Sequence, residues 1–221
     1  MTVTLELSMD RNIIRRPFRY RNENMVYFII GINILVYLAE RFLRNVPVIP
    51  YLSMIPLAVI GRGWIWQFVT YMFVHDPRSI GHILFNMFAL FIFGRQVEWK
   101  MGSREFLLYY LLTGILAGVF SFFIYLFTNN TLVFLMGASG AIFAVQLAFA
   151  AFFPESIIYL WGILPLRAPV MVLGFTAVEL IFMLTGAGGN VAHATHLAGF
   201  GFGWLYFLIR LGINPWQAMR R

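Results

Sequence analysis

Six stretches of the chain are almost wholly apolar, and shorter polar segments separate them. A helix needs roughly 20 mostly apolar residues to cross the hydrocarbon core of a bilayer. Six stretches fit this requirement and are predicted to be spanning helices: residues 25–42, 80–97, 105–127, 137–153, 168–185 and 193–211. The pattern therefore predicts an all-α membrane protein built as a bundle of six transmembrane helices.

Two further apolar stretches are interrupted by proline and glycine. Residues 48–74 contain Pro50 and Pro56, and the unbroken pieces between the interruptions are too short to cross a bilayer. We interpret this stretch as part of a structured first loop, residues 43–79, that lies in the membrane interface with Trp64 and Trp66 as anchors. Residues 156–167 are interpreted in the same way.

Composition and charge support a membrane protein and indicate its orientation. The chain is 61% hydrophobic and 11% charged, which is too little polar surface for a soluble domain of 221 residues. With six spans, twelve of its 16 Lys and Arg residues fall on one side. By the positive-inside rule the tails 1–24 and 212–221 are then cytoplasmic and flank one domain, residues 25–211. We expect the first span to be retained and no nucleic acid to be bound.

Polar residues within predicted spans are costly and are therefore candidates for function. His82 and Asn86 lie four residues apart at the start of the second span, Ser139 lies at the start of the fourth, and His196 lies at the start of the sixth. In the predicted topology even-numbered spans run inward from the outer side. All four side chains are then expected in one layer near the outer surface, which predicts a single site.

Each of these residues also has a structural interpretation. Ser139 could cap its helix, and His82 and Asn86 could link helices by hydrogen bonds. Glu179 could bond within the bundle or face a water pocket. His75 and His193 are predicted at loop edges, with exposed imidazoles that need no further explanation.

Serine and histidine together are typical of nucleophilic catalysis, in which the imidazole removes the proton of the hydroxyl. A carboxylate would usually orient that histidine. Asp76 is in the preceding loop and Glu179 is predicted to lie too deep, so the expectation is a dyad of Ser139 and His196. The sequence lacks the His-Glu-x-x-His pattern of zinc proteases, and we predict no metal and no cofactor, although His193 and His196 could in principle hold an ion.

Small residues recur every four positions on the fourth and sixth spans. Gly140, Ala144 and Ala148 form one such face, and Gly199 and Gly203 form the other. Such faces let helix backbones approach closely. This packing would bring a serine on the fourth span near a histidine on the sixth.

These motifs together resemble the rhomboid intramembrane serine proteases over roughly residues 25–211. The motifs that carry the resemblance occur in family order: His82-x-x-x-Asn86, Gly137-Ala138-Ser139-Gly140, and Ala192-His193 through His196 to Gly199 and Gly203, with the segments before His75 and at 97–106 as weaker matches. One departure is Gln67, which follows Trp66 where many members of the family have arginine.

The resemblance implies a role for each matching residue. Ser139 would be the nucleophile and His196 the general base, while His82, Asn86 and the Ser139 backbone N–H would form the oxyanion hole. Phe143 would pack against the catalytic histidine. Gly199 and Gly203 would be the helix-packing glycines.

The resemblance also implies a function, namely cleavage of other membrane proteins in or near a transmembrane helix. The expected setting is a bacterial inner or plasma membrane, with the site open to the outer face and lipid as the surrounding medium. Two alternatives stay open: an inactive rhomboid-like protein that binds membrane clients, and a small transporter or channel.

Overall fold

The computed structural model describes residues 13–16, 18–43, 45–160, 162–186 and 193–220. Residues 1–12 and 17 of the predicted N-terminal tail, Ala192 of the last motif and Arg221 of the C-terminal tail lie outside the described residues. The elements are α1 Met25–Phe42, α2 Val48–Leu52, α3 Pro56–Arg62, α4 Gln67–Thr70, α5 Ile80–Ala89, α6 Arg95–Met101, α7 Ser103–Phe127, α8 Ser139–Phe152, β1 Ile157–Leu160, β2 Leu164–Arg167, α9 Ala168–Thr185, α10 His193–Tyr206 and α11 Pro215–Met219, with 3₁₀ turns at Ile13–Arg15 and Tyr71–Phe73.

The prediction of a helical membrane protein is confirmed, but the count of six spans is not confirmed in full. Within the described residues, four helices are long and apolar enough to cross a membrane: Met25–Phe42, Ile80–Met101, Ser103–Phe127 and Ala168–Thr185. The second of these is continuous because a π-helical segment, Leu90–Gly94, joins α5 to α6. At 14 residues α8 is shorter than this length, as is α10 before its π-helical extension Phe207–Leu211.

The centre of the bundle is α8, which packs between α7 and α10. Eleven of its fourteen residues are buried. Its contact with α10 depends on glycine, because a Cβ atom at Gly199 would lie 1.9 Å from the backbone oxygen of Gly140. The small-residue faces predicted from the sequence therefore meet, and the two backbones are in direct contact.

The first loop folds into short helices that pack against α7. Tyr71 is buried and donates a hydrogen bond to the carbonyl of Gly114, at 2.6 Å. A Cβ at Gly118 would lie 2.6 Å from the Tyr71 ring, and one at Gly114 would overlap Met72. These two glycines make room for the loop on the surface of α7.

Gln67, where the family frequently has arginine, is fully buried in this loop. Its Oε1 accepts a hydrogen bond from the Ile55 N–H at 3.0 Å, and its Nε2 donates to the carbonyls of Pro50 and Tyr51 at 3.0 and 3.2 Å. A neutral amide satisfies both a donor and acceptors here, which an arginine could not do because it has no acceptor. Gln67 thus fixes the loop that carries the chain toward α5.

Glu98 joins α6 to the beginning of α1. Its carboxylate accepts the backbone N–H groups of Met25 and Val26 at 2.6 and 3.0 Å, and it also bonds the Ser103 hydroxyl. A helix has free N–H groups in its first turn, where a carboxylate is favoured. This gives a physical role to Glu98 and Ser103 in the segment 97–106, one of the weaker matches to the family.

The segment predicted as a second interfacial loop is a β-hairpin. Strands β1 and β2 pair antiparallel, with Ile157 opposite Arg167 and Leu160 opposite Leu164. The hairpin leads directly into α9, which has proline in its first turn and ends at Gly186 with φ of 68°. The prolines and apolar residues of the segment did not indicate strands.

Candidate active site

Ser139 is the first residue of α8, and backbone hydrogen bonds fix the segment that precedes it. Met54 and Leu135 exchange backbone hydrogen bonds, each 3.0 Å long, and the Gly137 N–H donates to the Tyr71 carbonyl at 2.9 Å. Gly137 has φ of 119°, a conformation that L side chains rarely adopt. The first loop and the segment before Ser139 together fix where α8 begins and hence where its first side chain lies.

The Ser139 hydroxyl faces the imidazole of His196. Ser139 Oγ and His196 Nε2 are 2.7 Å apart, a hydrogen-bond distance, although the two residues are 57 positions apart in the chain. The Phe143 ring stacks on the imidazole with a centroid distance of 4.7 Å and an interplanar angle of 7°. The structure thus brings together the three residues for which the sequence predicted nucleophile, base and packing roles.

Ser139 does not serve as a helix cap. The N-cap of α8 is Ala138, and among the described residues no side-chain capping hydrogen bond is formed at this position. The N–H groups in that turn have no carbonyl partner within the helix. This geometry leaves the hydroxyl to His196 and leaves backbone donors beside the hydroxyl.

His82 lies next to the same turn. A Cβ placed on Gly137 would be 2.9 Å from His82 Nε2 and 3.7 Å from Ser139 Oγ, so only glycine leaves space between the imidazole and the hydroxyl. Asn86, one turn later on α5, is buried and donates from Nδ2 to the His82 carbonyl at 2.9 Å. No hydrogen bond joins Asn86 to Ser139 in the described part of the chain, and its second amide N–H is a further donor.

His75 was predicted to be exposed, and that prediction is wrong. The residue is fully buried, and its ring packs against His82 with a centroid distance of 5.0 Å. Burial, together with the nearby His82, lowers the pKa of His75 to about 3. The ring is therefore neutral near pH 7 and supports His82 without adding charge.

Glu179 was predicted to lie too deep for the site, and the structure corrects this. Its Oε1 is 3.1 Å from His196 Nδ1, on the side of the ring opposite Ser139. Depth was inferred from predicted span ends that were taken to lie at one level. Glu179, although well inside α9, lies beside the first turn of α10, and its long side chain reaches His196.

His193, also predicted to be exposed, is buried and shares the same carboxylate. Its Nδ1 lies 2.5 Å from Glu179 Oε2. The donor atoms of Glu179, His193 and His196 lie within 4.8 Å of one another, so this cluster contains the types of atom that bind zinc. The close pairing of Glu179 with both imidazoles accounts for the arrangement without an ion, and we assign none.

The arrangement has the elements of acyl transfer. It contains a hydroxyl in contact with an imidazole, and backbone and side-chain donors beside that hydroxyl that can stabilise a developing oxyanion. It also contains a carboxylate behind the imidazole, which the sequence reasoning missed. The available signal was an acidic residue, Glu179, within the apolar span that precedes the two histidines in the chain.

Comparison with known families identifies the same segment. The family model described as the rhomboid domain matches residues 62–213, which include α4 to α10 and all the residues of the site.

Three curated relatives illustrate the similarity. Rhomboid-like protein 11, chloroplastic, of Arabidopsis thaliana is 33% identical over 59% of this chain and 42% of its own length. Rhomboid protease GluP of Bacillus subtilis is 37% identical over 39% of this chain and 15% of its own length. Rhomboid protease GlpG of Haemophilus influenzae is 30% identical over 51% of this chain and 54% of its own length. The matched segments thus span about half or less of these relatives.

Proposed function

Because the chain belongs to the rhomboid family, we propose that it is an intramembrane serine endopeptidase that uses Ser139 as nucleophile and His196 as general base. The family and the apolar helices make it an integral membrane protein of a serine protease family. The observation that carries the finer proposal is the 2.7 Å contact between Ser139 Oγ and His196 Nε2.

The first step follows from this contact. His196 Nε2 takes the hydroxyl proton as Ser139 Oγ bonds to the carbonyl carbon of the substrate, and the carbonyl π electrons move to oxygen. His82, Asn86 and the Ser139 N–H stabilise that oxyanion. His196 then gives its proton to the leaving nitrogen as the C–N bond breaks, and water hydrolyses the acyl-enzyme by the same steps in reverse order.

The proposed substrates are other membrane proteins, cleaved in or near a transmembrane helix. Ser139, His82 and His196 lie in the first turns of their helices, so the reaction takes place near one membrane surface, where water can enter. The charge distribution supports assigning this surface to the outer face and the termini to the cytoplasm. A helical amide has its carbonyl engaged, so residues that unwind the substrate near this surface should favour cleavage.

The direct test is cleavage of a single-span model substrate in liposomes. Wild type should yield product, and Ser139→Ala and His196→Ala should not. Cleavage that persists in Ser139→Ala would exclude the serine mechanism. Absence of cleavage by folded wild type with several substrates would favour the alternative function, a rhomboid-like protein that binds membrane clients.

A further inference from the structure

Glu179 lies between two imidazoles of α10 in a mostly buried cluster. Oε2 is 2.5 Å from His193 Nδ1, and Oε1 is 3.1 Å from His196 Nδ1. The side chains of Glu179, His193 and His196 are 16%, 9% and 12% exposed. A carboxylate this poorly hydrated is stabilised only by its partners.

We propose that Glu179 is a positioning residue that makes the site a Ser139–His196–Glu179 triad. This inference rests on the proposed function and corrects the dyad expected from the sequence. Its basis is that Glu179 and Ser139 contact opposite nitrogens of one imidazole.

The chemistry of the imidazole favours such a partner. For Nε2 to accept the serine proton, the neutral ring must carry its own proton on Nδ1. A buried N–H without an acceptor is costly, and Glu179 Oε1 is the acceptor within reach. The carboxylate therefore favours the tautomer that leaves Nε2 free.

The contact needs only a small adjustment to become a full hydrogen bond. The two atoms are 3.1 Å apart, but within the described residues His196 Nδ1 forms no hydrogen bond, so the observed contact is electrostatic. The terminal torsion of glutamate is broad, and turning the carboxylate costs little. We expect the Glu179 carboxylate to rotate in this way when His196 takes the serine proton and becomes a cation beside it.

His193 holds the carboxylate in place. An ionised carboxylate only accepts hydrogen bonds, so His193 Nδ1 is the donor at Oε2. The His193 ring is itself placed by Phe182, edge to face at a centroid distance of 5.6 Å. With one oxygen fixed by His193, the other is left to His196.

The alternative is that Glu179 only links α9 to α10. The variant Glu179→Gln distinguishes this structural role from the triad, because the amide keeps the size and a hydrogen bond but removes the charge. The triad predicts that kcat for the single-span substrate falls about 100-fold or more with little change in KM, since such a replacement in a serine protease triad costs about 10⁴. Glu179→Asp, which keeps the charge, should restore part of the activity.

The pH profile is the readout that a structural link would not change. His196 faces Ser139 from α8, Glu179 from α9, His82 from α5 and His193 on its own helix. In the described part of the chain, the groups that α7 presents near Thr195 are the neutral hydroxyls of Ser121 and Tyr125. Without the carboxylate the imidazolium is less stable. The acidic limb of kcat should therefore move to lower pH in Glu179→Gln and should be retained in Glu179→Asp.

Glu155→Gln is the matched control, because it removes an exposed carboxylate that pairs with Arg167 outside the site. It should leave kcat and the pH profile unchanged.

The inference is overturned if Glu179→Gln keeps kcat within about threefold and keeps the acidic limb while Ser139→Ala is inactive. Should Glu179→Gln fail to fold, an Asp variant with unchanged kcat would overturn it equally, because its shorter side chain withdraws the oxygen. Failure of the proposed function itself would show separately, as activity in Ser139→Ala or none in wild type.

Discussion

Two of the helices that pack against α10, α8 and α9, differ in how they contact it. On one side α8 has eleven of fourteen residues buried and touches α10 through backbone, at Gly140 and Gly199. On the other side α9 has three of eighteen residues buried, and its polar link to α10 is the carboxylate of Glu179. One interface is defined by shape and the other by charge.

This difference assigns separate tasks to the two sides of His196. The α8 side sets the distance between hydroxyl and imidazole, and it tolerates almost no change in volume. The α9 side orients the imidazole, and most of this helix is not buried against the rest of the protein. Substitutions on the two sides should therefore affect cleavage and stability differently.

The largest effect is expected at Gly199. In Gly199→Ala the new Cβ would meet the Gly140 backbone, which cannot rotate away, so α10 must move from α8. Overpacking typically costs about 1–3 kcal/mol, and a displacement of about 1 Å at a catalytic group can cost about 100-fold in rate. The rate of cleavage and the temperature of thermal unfolding should both fall sharply. Gly201→Ala is the control, because a Cβ there meets nothing within 4 Å; equal losses in both variants would contradict the shape-defined interface.

A smaller effect is expected at Phe143. Phe143→Ala removes the ring that stacks on His196, and an aromatic contact of this kind is worth about 0.5–1.5 kcal/mol. We expect kcat to fall about tenfold while the protein stays folded. Phe143→Tyr keeps the stacked ring and should match wild type in the same assay. Full activity of Phe143→Ala would show that the α8 side does not need this ring.

The smallest effect is expected on α9, at Gly174. The residue is exposed, and a Cβ there would meet nothing within 4 Å. Gly174→Ala should leave cleavage unchanged and could raise stability by up to about 1 kcal/mol through helix propensity. A loss of activity comparable to that of Gly199→Ala would mean that α9 is packed as tightly as α8, and the comparison would fail.

The same difference explains what the sequence could predict. Small residues repeated every four positions revealed the contact between α8 and α10, and the bounds predicted for the first and fifth spans coincide with α1 and α9. The position of Ser139 at the start of a helix also followed from the sequence. All these features depend on local pattern.

The features that the sequence missed depend on offsets between elements. Glu179 reaches His196 because of the axial offset of α9 and α10, which residue counting from predicted ends does not give. His75 is buried where the first loop packs against α1 and α5, beside Glu40 and His82. The strands β1 and β2 pair across a segment with no strand-like alternation. Tertiary contacts decided each of these cases.

The most direct test of the central claim is covalent labelling of Ser139 by a fluorophosphonate probe, mapped by mass spectrometry of the full chain in detergent. The account predicts a modified Ser139 in wild type, strongly reduced labelling in His196→Ala, and none at residue 139 in Ser139→Ala. Labelling of Ser139 that is equally fast without His196 would contradict it, because the hydroxyl would then not depend on the imidazole that α10 brings to it.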